Sequence, residues 1–199
     1  YLLLSLIQSE SASTAVRLAA AIQFKNICKL RWVVDDESEE DVPNSVSDEE
    51  KYGIRQQLVP VLISLASAPS PSQAILSQVN ESIALVASYD FPDAWPSLID
   101  ELVSQLSTDN HHILLSVLST SHAIFKRWRS QFRSDALYME INLVLGKMAN
   151  PLLELLQRMH SLLMDPSTPS STMQPLAMCL MLLLQLFYDL SAQDLPPQF

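Results

Sequence analysis

The chain has 199 residues, of which 48% are apolar and 17% are charged. This apolar content excludes a disordered chain, because so much apolar surface would not stay in water. Only 2 residues are Gly whereas 12 are Pro, which argues against hairpin-rich β folds and against Gly-rich loops that bind phosphate. The formal charge of −10 argues against nucleic-acid binding, since phosphates are contacted by clustered Lys and Arg.

The negative charge is concentrated in one segment. Residues 35–50 hold nine of the 22 acidic residues and no basic residue, so the rest of the chain carries 13 acids against 12 bases. Such a run of like charges resists compaction. We predict a solvated, irregular acidic loop over 35–50, and the alternative is a segment that attracts a basic partner.

Eight helices are predicted in chain order from apolar periodicity, capping residues and Pro. Thr14 and Asp48 are predicted to cap the second and third helices, Asp109 or Asn110 the sixth, and Ser134 with Asp135 precedes the seventh. Pro60 and Pro151 fall inside helical patterns and predict bends. The predicted helices cover 2–8, 16–33, 48–67, 72–89, 96–107, 111–128, 136–164 and 173–190.

These helices group into antiparallel pairs with a period of roughly 40 residues, which is typical of HEAT-like repeats. The pairs span approximately 1–34, 48–90, 95–130 and 134–190, with an acidic loop at 35–47. We therefore predict an all-α fold, a right-handed α-solenoid in which 1–199 is a single HEAT-repeat segment. An ordinary helical bundle and a different α-solenoid are the alternatives.

Cys28 and Cys179 lie in apolar helical runs outside any CxxC motif, so we expect buried free thiols and a reducing compartment. The apolar run 176–188 contains Gln185 and is shorter than the about 20 residues that cross a membrane. We interpret it as a buried helix and expect no membrane insertion. The opening sequence YLLLSLIQS reads as the interior of a helix, which indicates a segment of a longer protein.

Four sequence segments resemble a known family. RLAAAIQFKNICKLRW and ESIALVASYDFPDAWPSLIDEL resemble two signatures of the importin-β family of nuclear transport receptors. SHAIFKRWRSQFRSDALYMEINLVL and LFYDLSAQDLPPQF are similar to the CAS-type exportins, the branch that re-exports importin-α. The resemblance covers nearly the whole chain and corresponds to the amino-terminal HEAT repeats, whereas the acidic loop, Pro197 and Gln198 depart from the family pattern.

This resemblance implies a receptor segment that binds RanGTP through the inner helices of its repeats and helps to return importin-α to the cytoplasm. It implies shuttling between nucleus and cytoplasm, and we expect a monomeric segment. On the second helix, the family's Phe-Lys-Asn motif assigns Lys25, Asn26 and Lys29 to the Ran contact. A polar strip on the fourth helix adds Gln78, Glu81 and Ser82. The alternative for all six residues is an ordinary solvated helix face.

A second polar stripe is predicted on the sixth helix, where spacings of three, four and three place four side chains on one face. It would suit an acidic protein partner, or it is an exposed helix face. The residues of this weaker partner surface are Ser119, His122, Lys126 and Arg129.

The aromatic side chains are interpreted as structural. Phe91 and Trp95 are bracketed by Pro and are predicted to seal one repeat against the next. Trp32 and Trp128 are likewise expected to pack between repeats at the ends of their helices.

No catalytic motif is present. His111 and His112 are adjacent at a helix start, and neither a zinc-binding HExxH nor a nucleophile elbow occurs. We therefore predict no enzymatic activity, no metal and no cofactor. The competing function is a HEAT scaffold for protein–protein interaction that is unrelated to Ran.

Overall fold

The computed structural model describes residues 1–33 and 45–193. Within these ranges the chain forms eight α-helices and one 3₁₀-helix, η1, and contains no strand, which confirms the predicted all-α fold. The elements are α1 Leu2–Gln8, α2 Thr14–Arg31, α3 Asp48–Ala66, α4 Gln73–Asp90, α5 Leu98–Val103, α6 His111–Phe125, η1 Lys126–Ser130, α7 Asp135–Met164 and α8 Ser170–Ser191.

The chain divides into two compact units, Tyr1–Trp95 and Pro96–Phe199. In the first unit α2 packs against α1 and α4, and α3 packs against α1 and α4. Lys25 on α2 reaches Glu81 on α4, and Trp32 reaches Asp90 further along both helices. Helices α2 and α4 therefore run parallel, as the second helices of successive repeats do.

The second unit is built in the same way. Helix α7 packs against α5 and α8, and α8 packs against α6 and η1. Lys147 on α7 reaches Asp100 at the start of α5, and Arg158 reaches the carbonyl of Ser107 beyond its end. These two contacts show that α5 and α7 also run parallel.

Hydroxyl and amide side chains cap four helices. Asn110 accepts from the backbone N–H groups of His112 and Ile113 at the start of α6, which selects it over the predicted alternative Asp109, and Ser134 accepts from the Leu137 N–H at the start of α7. The caps of α2 and α3 are Ser13 and Ser47, so the predictions of Thr14 and Asp48 are wrong by one residue.

Ser47 owes its position to a reciprocal capping box. Its hydroxyl accepts from the backbone N–H of Glu50, and the Glu50 carboxylate accepts from the backbone N–H of Ser47. Asp48 is therefore the first helical residue, where the positive amino end of the helix dipole stabilises its negative charge.

Three helix boundaries differ from the predictions by three residues or more. Helix α5 ends at Val103, because the turn that follows presents its carbonyls to the Arg158 guanidinium, which donates to Leu106, Ser107 and Thr108. Helix α6 ends at Phe125, and the chain continues as the tighter η1. Helix α8 begins three residues early at Ser170, with Pro175 inside its amino-terminal part.

Most of the predicted acidic loop lies outside the described residues, which resume at Ser45. The backbone N–H of Val46 donates to the carbonyl of Arg31, and residues 48–50 form the first turn of α3. The prediction of an irregular segment reaching residue 50 is therefore wrong at its carboxyl end. Pro60 and Pro151 lie inside continuous helices, and the predicted bends stay predictions.

Helix α8 is the one described helix that is long and apolar enough to cross a membrane by length and composition. In the structure it packs on α6 and α7 and buries Cys179 and Leu186 fully. Its opposite side exposes large apolar groups, with Leu184 58% and Phe187 70% accessible.

Candidate functional site

The predicted contact residues of the first unit lie on the parallel helices α2 and α4. The ammonium of Lys25 lies 2.9 Å from Oε2 of Glu81, and the two side chains are 27% and 52% exposed. Two residues predicted to contact the same partner are thus bound to each other. The pair leaves this position with no net charge.

Asn26 and Lys29 lie on the exposed side of α2. Among the residues that the structure describes, Lys29 has no ion-pair partner. With respect to residues 1–33 and 45–193, its ammonium is therefore an unpaired positive charge beside the neutralised Lys25. An acidic group on a protein partner could pair with it.

The polar strip predicted on α4 is narrower than expected. Ser82 is fully buried, and its hydroxyl donates to the Gln78 carbonyl one turn earlier at 2.8 Å. The prediction that Ser82 lies on an accessible strip is therefore wrong, because a hydroxyl bonded to its own helix can be buried. Gln78 is half-buried, and Ser77 is an exposed neighbour of Glu81 on α4.

Exposed apolar side chains on α2 and just after its end were missed as part of this surface. Ile22 on α2 is 41% exposed and shares a helix face with Asn26 and Lys29, and Val33, two residues past the end of α2, is 52% exposed. We call these four residues the α2 face. The signal for Ile22 was present in the sequence, because spacings of four and three place Ile22, Asn26 and Lys29 on one side of a helix.

A largely buried carboxylate fixes the end of the α2 face. Asp90 accepts from the Trp32 indole N–H at 3.1 Å and from the Arg55 guanidinium at 2.6 Å. Trp32 follows α2, Arg55 lies on α3 and Asp90 ends α4. One carboxylate thus ties three helices together, and we call this arrangement the Asp90 clamp.

The second predicted surface is divided by the structure. Ser119 is half-exposed on α6, and Lys126 is exposed at the start of η1. His122 and Arg129 instead contact Asp189 of α8, at 2.7 and 2.5 Å. The prediction of one helical stripe is therefore wrong, because α6 ends at Phe125 and Arg129 lies on the 3₁₀-helix.

The two segments that resemble the CAS-type exportins pack against each other around Asp189. The rings of Phe125 and Trp128 stack with centroids 4.7 Å apart, and the Arg129 guanidinium lies 4.4 Å from the centre of the Tyr188 ring. The Gln193 amide donates to the Trp128 carbonyl at 2.6 Å. These side chains therefore form an internal junction, and we call it the Asp189 cluster.

Nothing in the described ranges resembles a catalytic site. No group of three His, Cys, Asp or Glu residues in residues 1–33 and 45–193 could hold a metal ion. Burial raises the pKa of the Cys28 thiol to about 12 and that of the Cys179 thiol to about 11, so neither is a nucleophile near neutral pH.

Two protein families match separate parts of the chain. The importin-β amino-terminal domain matches residues 1–64 and therefore includes α2. The Cse1 family matches residues 124–199, which include Asp189 and Arg129 and begin just after His122.

Relatives from fungi and animals match over the whole chain. The importin-α re-exporter of Schizosaccharomyces pombe is 36% identical over 99% of this chain. Exportin-2 of Pagrus major is 38% identical and that of Homo sapiens 34% identical, both over 100% of this chain. The chain spans about a fifth of the length of these relatives, 19% of each.

A solved structure shows the same fold. The exportin Cse1 in its cargo-free, cytoplasmic state superposes with a TM-score of 0.82 at 35% identity, covering 98% of this chain and 20% of that one. The fold is thus that of an α-solenoid of HEAT repeats. By these matches the chain belongs to the importin-β family of nuclear transport receptors, and it is similar to the importin-α re-exporters within that family.

Proposed function

We propose that this chain is the RanGTP-binding segment of a nuclear export receptor that returns importin-α from the nucleus to the cytoplasm. The names of its relatives support the export role and the importin-α cargo. The match of residues 1–64 to the importin-β amino-terminal domain supports Ran as the partner of the first unit. The receptor acts as a monomer without enzymatic activity, and it shuttles through the nuclear pore.

The observation that carries the proposal is the α2 face in its position beside α4. Asn26 offers an amide, Lys29 offers a free ammonium, and Ile22 and Val33 offer exposed apolar contact. Burial of apolar surface is the dominant favourable term in most protein–protein association, whereas charges at the rim steer association. The α2 face has both kinds of group, as a surface for an acidic protein partner requires.

The Asp90 clamp supports this surface from behind. It holds the carboxyl end of α2 against α3 and α4, so the α2 face is presented on a fixed helix. Groups held in place before binding lose little conformational entropy when the partner arrives. We therefore assign the clamp a structural task and the α2 face the contact.

A HEAT scaffold unrelated to Ran is the alternative function, and nucleotide dependence distinguishes the two. We would measure the binding of the full-length protein to Ran loaded with GTP or with GDP, with and without importin-α. The proposal predicts binding to the GTP form only, strengthened by importin-α because coupling between two ligands is reciprocal. Equal binding to both nucleotide forms would favour the scaffold.

Charge reversal then locates the contact. The variant Lys25→Glu/Lys29→Glu is expected to weaken RanGTP binding by about 1–4 kcal/mol, with a larger loss at low salt. The control Lys51→Glu/Lys147→Glu makes the same change of charge on α3 and α7. If the two variants lose equal affinity, the effect is one of net charge, and α2 is not the contact.

A further inference from the structure

The ion pair between Lys25 and Glu81 joins the two helices that border the proposed Ran contact. We propose that Glu81 competes with the GTPase for the Lys25 ammonium, so that an acidic partner binds by exchanging ion-pair partners with α4. This inference rests on the proposed function. It adds Glu81 as a residue that lowers and tunes the affinity of the site.

The geometry of the pair places the competition at the surface. The Lys25 ammonium lies 2.9 Å from Glu81 Oε2, and the carboxylate side chain is 52% exposed. A partner that approaches Lys25 therefore meets the Glu81 carboxylate as well. For an acidic partner, the attraction of the ammonium is offset by the repulsion of the carboxylate.

The pair is also free to exchange. In the described part of the chain neither Lys25 nor Glu81 makes a second ion pair, and an exposed ion pair contributes little to folding stability. The Asp90 clamp on the same helices is different, because Arg55 and Asp90 are each only 11% exposed and Trp32 also binds the carboxylate. Helices α2 and α4 thus share one fixed pair and one exchangeable pair.

Lys29 provides the comparison within the site. It lies one turn after Lys25 on α2, and no described carboxylate pairs with it. Its ammonium can attract an acidic group without breaking a contact of its own. The proposal therefore predicts that removing the Glu81 charge increases the contribution of Lys25 to binding and leaves that of Lys29 unchanged.

The test is a double-mutant cycle on the full-length protein. RanGTP affinity is measured for the wild type, Glu81→Gln, Lys25→Met and the Lys25→Met/Glu81→Gln variant, at low and at high ionic strength. Glu10→Gln removes the same charge from the exposed turn before α2 and controls for net charge. Thermal melts of each variant verify that the fold is intact.

The proposal predicts that Glu81→Gln binds RanGTP about 2- to 5-fold more tightly than the wild type, with a smaller gain at high salt. The increase in RanGTP affinity on Glu81→Gln should be smaller when Lys25 is already Met. The control Glu10→Gln should increase the affinity less than Glu81→Gln does.

Three results would overturn the proposal. Unchanged or weaker binding of Glu81→Gln would make Glu81 irrelevant or a direct contact. An equal gain with and without Lys25 would indicate general repulsion in place of competition. If the wild type binds Ran equally with GTP and GDP, the proposed function fails first, and this inference fails with it.

Discussion

The Asp189 cluster tests how burial changes the contribution of an ion pair to the free energy of unfolding. Asp189 is fully buried, while the side chains of His122 and Arg129 are 25% and 33% exposed. The perturbation is Asp189→Asn, which keeps the shape of the side chain and removes its charge. A comparison pair is available in the same unit, where Lys147 lies 2.7 Å from Asp100 with side-chain exposures of 30% and 63%.

The magnitude follows from the two contacts of the carboxylate. Hydrogen bonds to a charged group contribute about 1.5–3 kcal/mol each, and breaking a buried pair costs about 3–5 kcal/mol. His122 and Arg129 can regain water through their exposed parts, which offsets some of that loss. We therefore expect Asp189→Asn to lower the free energy of unfolding by about 2–4 kcal/mol, whereas Asp100→Asn loses at most about 1 kcal/mol.

Urea unfolding followed by circular dichroism measures both values. The Arg129→Met variant should lower the free energy of unfolding at least as much as Asp189→Asn does, because it leaves the buried Asp189 carboxylate with His122 as its one remaining partner of the two. The Arg129→Met/Asp189→Asn variant should lower the free energy of unfolding by less than the sum of the two single-variant decreases. If Asp189→Asn loses no more than Asp100→Asn, the reasoning from burial is refuted.

Three further predictions concern stability. Trp95 is 1% exposed, so Trp95→Ala should cost about 3–5 kcal/mol and Trp95→Phe less, and thermal melts that overlay the wild type would contradict this. Ser47→Ala should cost about 0.5–2 kcal/mol through loss of the α3 capping box, measured by urea unfolding against Ser45→Ala as a control. Since the folded pKa of Cys28 is raised from 9.0 to about 12, its contribution to stability is complete below about pH 9 and is lost as the pH rises towards 12. Unfolding at stepped alkaline pH should show a smaller loss for Cys28→Ser than for the wild type.

The helices themselves could be predicted, because Pro and the apolar period mark them locally. Asn110 was one of the two caps predicted for α6 for the same reason. The errors at Ser13 and Ser47 reflect a choice among adjacent polar residues, which depends on which side chain reaches the free N–H groups. The early end of α5 depends on Arg158, about 50 residues away along the chain, so local sequence contains no signal for it.

The candidate site could be predicted in part. Helical spacing was sufficient to group Asn26 with Lys29 on one face. Helical spacing could not distinguish an exposed Ser from a buried Ser whose hydroxyl bonds to its own helix. For this reason the prediction that Ser82 is accessible was wrong. The Lys25–Glu81 pair and the contacts of Asp189 join residues more than 50 positions apart, and such pairings follow from how the repeats stack.

The Asp90 clamp also has a mechanical consequence. It lies where the carboxyl ends of α2 and α4 meet, whereas their middle sections are joined by the exposed Lys25–Glu81 pair. Separation of the two helices should therefore begin at their amino ends, while their carboxyl ends stay together at Asp90. Amide hydrogens near Trp32 and Asp90 should exchange with deuterium more slowly than those near the amino ends, and Asp90→Asn should abolish this gradient.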